Sequence, residues 1–188
     1  MMKKRKYVFF VVLALTLFVA ACGSSSPTTT SASVNEGDQT PAWFEMPMTD
    51  VRSGEEFTIS DLSGKVILVE TMAMWCPTCL KQEGEVKQVQ ELLGARDDFV
   101  NIALDVDPKE NAEALKSYVD EHGFDWIFSV ASPEIARDLG NRYSAQLLNP
   151  PLVPMLIIDK NGDVYGLPYG LKSAEALHIT LLSYLDQS

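Results

Sequence analysis

Cysteine is scarce in this 188-residue chain, at three, and histidine is scarcer still, at two. Three cysteines cannot build the dense disulfide framework that replaces a core in small exported domains. Neither His122 nor His178 falls at the spacing of a structural zinc module. Basic residues are also few: 15 Lys and Arg against 26 Asp and Glu leave a formal net charge of −11, which argues against nucleic acid as a partner. The one long apolar stretch, Tyr7 to Ala21, is shorter than the ~20 residues a helix takes to stay across a bilayer. No internal repeat is visible.

What the ends do contain is an export pattern. Lys3, Lys4, Arg5 and Lys6 precede the apolar stretch, and Cys22 closes it, so residues 1–21 read as a signal peptide. Val19-Ala20-Ala21-Cys22 resembles the lipobox of bacterial lipoproteins, which makes Cys22 the expected lipid anchor. The leader takes basic residues with it and no acid, so the mature chain is more acidic still, which favours solubility in the envelope. Residues 22–40, beginning CGSSSPTTTSASVNEGDQ, have almost no large apolar side chain and read as a flexible tether. Residues 41–188 are the expected folded domain.

Within that domain the pattern alternates between strands and helices. Val66 to Val69 is a continuous aliphatic run after Gly64, as expected of a strand covered on both faces. Pro77 suits a helix start, with Val86, Val89 and Leu93 at helical spacing and Gly94 near the end. Phe99–Leu104 alternates as a second strand. Asn111–His122 reads as a helix stopped by Gly123, with Leu115, Tyr118, Val119 and His122 on one face. Trp126–Ser129 is a short strand, and Ser132-Pro133-Glu134 a capped helix start. Met155–Ile158 and Val164–Leu167 flank Asn161-Gly162 and predict a hairpin. A final helix spans Ser173–Leu185, with Ala174, Leu177, Leu181 and Tyr184 inward. The order implies a layered α/β domain with a central mixed sheet, parallel early and antiparallel late.

The chemistry is concentrated in Trp75-Cys76-Pro77-Thr78-Cys79, at the carboxyl edge of the first central strand, where open α/β sheets place their sites. As a staple, a disulfide over so short a loop is worth only about 2 kcal/mol before strain. As a metal site, the motif supplies too few ligands for structural zinc, and neither histidine completes it. Each histidine alone reads as a helix-face residue. As a redox pair, Cys76 sits just before a helix, whose unpaired N–H groups and dipole favour its thiolate. Cys76 is therefore expected to be the acidic, exposed nucleophile, with Cys79 one turn inside to resolve a mixed disulfide.

Taken with Phe57-Thr58-Ile59-Ser60-Asp61-Leu62-Ser63-Gly64-Lys65, Val66-Ile67-Leu68-Val69-Glu70, Val153-Pro154 and Asp159-Lys160-Asn161-Gly162, the motif resembles the thioredoxin superfamily. Within it the chain is similar to the membrane-tethered TlpA/ResA-like thiol-disulfide oxidoreductases. The resemblance implies a thioredoxin-like fold with an inserted helix and strand between Lys109 and Phe128. It also implies a dithiol/disulfide cycle of Cys76 and Cys79 with no other cofactor and no metal.

By the same match, Glu70 is expected to be a buried acid exchanging a proton with Cys79, and Pro154 to correspond to the cis-proline opposite the cysteines. Val153 is expected to offer main-chain hydrogen bonds to an extended client. Trp75, Pro77, Val153 and Pro154 form the expected client-binding set. Met72 and Met74 read either as a soft docking surface or as core filler.

The function implied is reduction of disulfides in exported proteins, such as apocytochrome c. The implied partners are client proteins and a membrane thiol donor, and the implied arrangement is a lipid-anchored monomer outside the cytoplasm. A copper metallochaperone of the same fold is the alternative, and a redox-inert interaction domain a further one.

Overall fold

The computed structural model of the chain describes residues 40–186. The expected signal peptide, nearly all of the expected tether and Cys22 lie outside the described residues. A short antiparallel pair, β1 (Met48–Thr49) and β2 (Glu56–Phe57), precedes the main sheet. That sheet has five strands: β3 (Val66–Met72), β4 (Phe99–Asp105), β5 (Ile127–Val130), β6 (Met155–Ile158) and β7 (Val164–Gly166). The order across it is β5-β4-β3-β6-β7, with β3, β4 and β5 parallel and β6 and β7 antiparallel. Four helices cover it: α1 (Pro77–Leu93), α2 (Ala112–His122), α3 (Pro133–Arg142) and α4 (Ala174–Leu185).

All seven residues of β3 are buried, as a strand covered on both faces requires. Alternation divides them. Val66, Leu68 and Met72 join Val86 and Val89 of α1, Leu115 and Val119 of α2, and Leu177 and Leu181 of α4 in one apolar cluster. Ile67 and Val69 join Ile102 and Leu104 of β4, Ile135 and Leu139 of α3, and Trp43 and Phe44 in the other. The steps from β3 to β4 and from β4 to β5 run the same way, so right-handed crossovers put α1 and α2 on the same face. The inserted helix thereby lies beside the helix that carries the cysteines.

Helix ends are set by local chemistry. Asn111, Ser132 and Ser173 accept the N–H three residues on, at 3.0, 3.2 and 3.2 Å. Gly123 ends α2 at φ 63°, a conformation open to glycine. Two details differ from the sequence reading. The short strand begins after Trp126, whose ring packs with Phe124 and Phe128 instead, and Leu185 takes the inward place on α4 while Tyr184 is half-buried.

Candidate active site

β3 ends at Met72, and a tight turn carries the chain to α1, with the Cys76 N–H donating to the Ala73 carbonyl at 3.0 Å. Cys76 is the N-cap of α1, and its Sγ accepts the Cys79 N–H at 3.2 Å. The sulfur is thus held by one backbone N–H of the helix start, which it shares with the Cys76 carbonyl at 3.1 Å. Pro77 follows at the first helical position, where a missing N–H is harmless. The two cysteines form a disulfide, with Cα atoms 5.3 Å apart. Cys79 Sγ also lies 3.3 Å from the Pro150 carbonyl, to which its thiol can donate once reduced.

One expectation is overturned: Cys76 is not exposed, with only 1 % of its surface accessible. Bonded to Cys79, its side chain turns inward and joins the apolar cluster of Met72, Ala73 and Met155, with Met74 and Leu80 packed at the edge. In the disulfide form, attack on Cys76 therefore requires this edge to open. Its neighbours Trp75, 56 % accessible, and Pro77 are on the surface and flank the cysteine. Met72 is core, and Met74 half-buried.

Val153 differs as well. A 3-10 turn at Pro150–Leu152 leads into it, and it adopts φ 49° and ψ 58°, a left-handed conformation strained for a β-branched residue. Its N–H donates to Pro150 O at 2.8 Å, and its carbonyl accepts from Lys172 Nζ at 2.7 Å. Both main-chain groups expected to pair with a client are already bonded internally. Pro154 is buried beside it, its carbonyl accepting the Thr71 N–H at 3.2 Å.

Glu70 is buried as expected, at 2 % accessibility, and its Oε1 has no hydrogen-bond partner. Burial pushes its carboxyl well above the usual range, the nearby Glu83 charge pushes the same way, and the Lys172 ammonium opposes them. Sequence reasoning missed Glu83, Gln82, Tyr118 and Lys172 as parts of this site. Glu83 is completely buried, and the Tyr118 hydroxyl donates to its Oε2. Burial raises Glu83 to about 7 against the lowering effect of that bond. The Gln82 amide spans Lys172, accepting its N–H at 2.8 Å and donating to its carbonyl at 3.0 Å. Burial lowers the Lys172 ammonium to about 8, with Glu70 opposing. The available signal was spacing: Gln82 and Glu83 lie three and four residues after Cys79, on the buried face of α1.

Acids also surround the outer side. Trp75 Nε1 donates to Asp107 Oδ2 at 2.6 Å, and the Met74 N–H donates to Glu110 Oε2 at 2.8 Å. Asp105, buried at the end of β4, is raised to about 8 by burial, against the lowering effect of the Asp107 N–H, with Glu110 adding to the rise. Among the described residues, no group of three or more His, Cys, Asp or Glu side chains is arranged to hold a metal ion. The chemistry the cysteine pair supplies is exchange of two electrons through the sulfurs, with buried acids able to take the protons.

Similarity to known proteins points the same way. The chain is 27 % identical over 179 residues to the thiol-disulfide oxidoreductase ResA of Bacillus cereus, spanning 94 % of this chain and 95 % of that one. Its fold superposes on a thiol:disulfide interchange protein of the thioredoxin family from Chlorobium tepidum TLS with a TM-score of 0.63 and 26 % identity, over 80 % of this chain and 99 % of that one. A secreted Mycobacterium tuberculosis disulfide oxidoreductase homologous to E. coli DsbE shares the fold, with a TM-score of 0.58 and 16 % identity over 74 % and 96 % of the chains. Residues 23–175 match the Redoxin family. With a Cys-x-x-Cys pair opening α1 at the carboxyl edge of β3, the chain belongs to that family as a TlpA/ResA-like thiol-disulfide oxidoreductase of the thioredoxin superfamily.

Proposed function

We propose that this oxidoreductase works outside the cytoplasmic membrane, tethered by a lipid on Cys22, and reduces disulfides in exported proteins such as apocytochrome c. Cys76 attacks the client disulfide, and Cys79 displaces the client from the mixed disulfide. A membrane thiol donor returns the pair to the dithiol. The observation that carries the reading is the Cys76 sulfur at the start of α1, accepting the Cys79 N–H at 3.2 Å while bonded to its partner.

The acid-rich surroundings support a reducing direction. Asp107, kept ionised by the Lys109 N–H and the Trp75 indole N–H, opposes negative charge on a thiolate beside Trp75. A less stable reduced form makes a stronger reductant, the converse of an oxidant whose thiolate is stabilised. Glu70 handles the proton of Cys79, Trp75 and Pro77 contact the client beside Cys76, and the Val153-Pro154 edge receives it once freed.

The test is the reduction potential of the pair in the full chain, equilibrated against a thiol redox buffer. A strongly negative value supports the reading. A value near that of the strongly oxidising thiol oxidases overturns the direction, and an insulin-reduction rate equal to that of the Cys76→Ser, Cys79→Ser variant overturns the activity.

A further inference from the structure

Two acids that repel one another are buried in the core that carries the disulfide, and each has an oxygen with nothing to bond. Glu70 shares the face of β3 that carries Leu68 and Met72, so it projects toward α1. Glu83 lies one turn beyond Cys79 on the buried face of α1. Glu70 Oε1 and Glu83 Oε1 are both buried without a hydrogen-bond partner, while Tyr118 of the inserted helix holds Glu83 Oε2. Orphaned buried acceptors are strongly disfavoured, and two buried carboxyls that raise one another relieve the problem by holding one proton in place of two charges.

We propose that Glu70 and Glu83 form a one-proton pair beneath Cys79, in which Glu83, held by Tyr118, discharges the proton that enters at Glu70 when Cys79 attacks the mixed disulfide. This rests on the redox reading above. Glu83 acts through Glu70 and is a positioning residue.

The step balances. The Cys79 S–H bond breaks, and its proton enters the pair at Glu70, whose own proton passes to Glu83, taking the pair from one proton to two. The Cys79 sulfur bonds to Cys76 Sγ as the bond from Cys76 to the client sulfur breaks. The electron pair leaves on the client sulfur, which takes a proton from water. The protein dithiol is oxidised and the client reduced by two electrons.

The charged and titratable groups facing the pair come from each packed element. They are Cys79 on α1, Tyr118 on α2, Lys172 ahead of α4, and Glu110 before α2, whose charge acts on Tyr118. Lys172 opposes the rise at Glu70, whereas Tyr118 opposes the rise at Glu83. Each contact thus favours the charged form of its acid against burial, and Glu83, at about 7, is the one that changes state near neutral pH.

The test uses the full reduced chain and dithiobis(nitrobenzoate). The first nitrothiolate released reports attack by Cys76, and the second reports resolution by Cys79. Glu83→Gln should leave the first phase unchanged, slow the second about tenfold at neutral pH, and move its pH midpoint down, because Glu70 loses the charge that raises it. Tyr118→Phe should move the midpoint up, because Glu83 loses the bond that lowers it. Glu83→Asp should restore part of the rate. Opposite shifts from two variants of one contact are not the mark of a packing defect. A wild-type midpoint in both variants, with two normal phases, overturns the pair and leaves the redox reading intact. Absence of the first phase in the wild type overturns both.

Discussion

Lys172 Nζ holds the Val153 carbonyl at 2.7 Å and the Gly170 carbonyl at 2.6 Å. An extended client that pairs with Val153 must first displace this ammonium. Lys172→Met should therefore lower KM for an extended disulfide-containing peptide severalfold, since a lost charge-assisted hydrogen bond of this type is worth about 1.5–3 kcal/mol and the lysine recovers much of that in water. The rate of disulfide reduction by dithiothreitol, which needs no strand pairing, is the control. A KM that rises or stays constant removes Val153 from docking.

Resolution by Cys79 predicts an asymmetry between the cysteines. A Cys79→Ser variant should retain a client as a mixed disulfide on Cys76, visible as a mass adduct that thiol reagents release. Cys76→Ser should retain none. Adducts of equal abundance on both variants contradict the assignment of the nucleophile.

Trp75 is mostly exposed and anchored only through its indole N–H to Asp107 at 2.6 Å. Trp75→Ala should leave thermal stability nearly unchanged, since exposed substitutions typically fall within about 0.5 kcal/mol. It should raise KM for protein clients by roughly tenfold, the order of an aromatic contact residue. A loss of stability with client KM unchanged points to a packing role.

Asp105 gives a pH prediction with a definite sign. Its folded-state carboxyl is raised from 3.8 to about 8, so the folded state holds a proton that the unfolded chain releases. The associated stability is fully present below pH ~4 and is lost as pH rises toward 8, on the order of a few kcal/mol. Asp105→Asn keeps the acceptor that Asp107 N–H uses at 3.0 Å and cannot ionise. Its melting temperature should exceed that of the wild type more at pH 8 than at pH 5. Equal differences at the two values refute this account.

The strand at Val66, the proline at α1, the capped start at Ser132 and the Asn161-Gly162 hairpin were legible because each rests on local chemistry: aliphatic runs, fixed φ, side-chain caps and positive φ. Glu70 was legible for a different reason, its match to the buried acid of thioredoxin-like proteins six residues before Cys76, directly after the aliphatic run Val66–Val69. Val153 was not, because the hydrogen bond from Lys172 that occupies its carbonyl joins positions 19 residues apart. The burial of Cys76 depends on how α1, β3 and the Pro150 turn close together, and no spacing in the chain encodes that. Glu83 and Tyr118 each look like an ordinary helical residue until two crossovers of the same hand bring their helices side by side.

Gln82 grips residue 172 through both halves of its amide, much as a neighbouring strand would. Only a side chain carrying donor and acceptor on one short plane can do so at this reach. A glutamate there would lose the donor and bring a third acid against an already crowded pair, while leucine would strand two backbone groups. Anyone redesigning the opening turn of this helix, whether to retune its potential or graft another dipeptide between the sulfurs, has no free choice at that position.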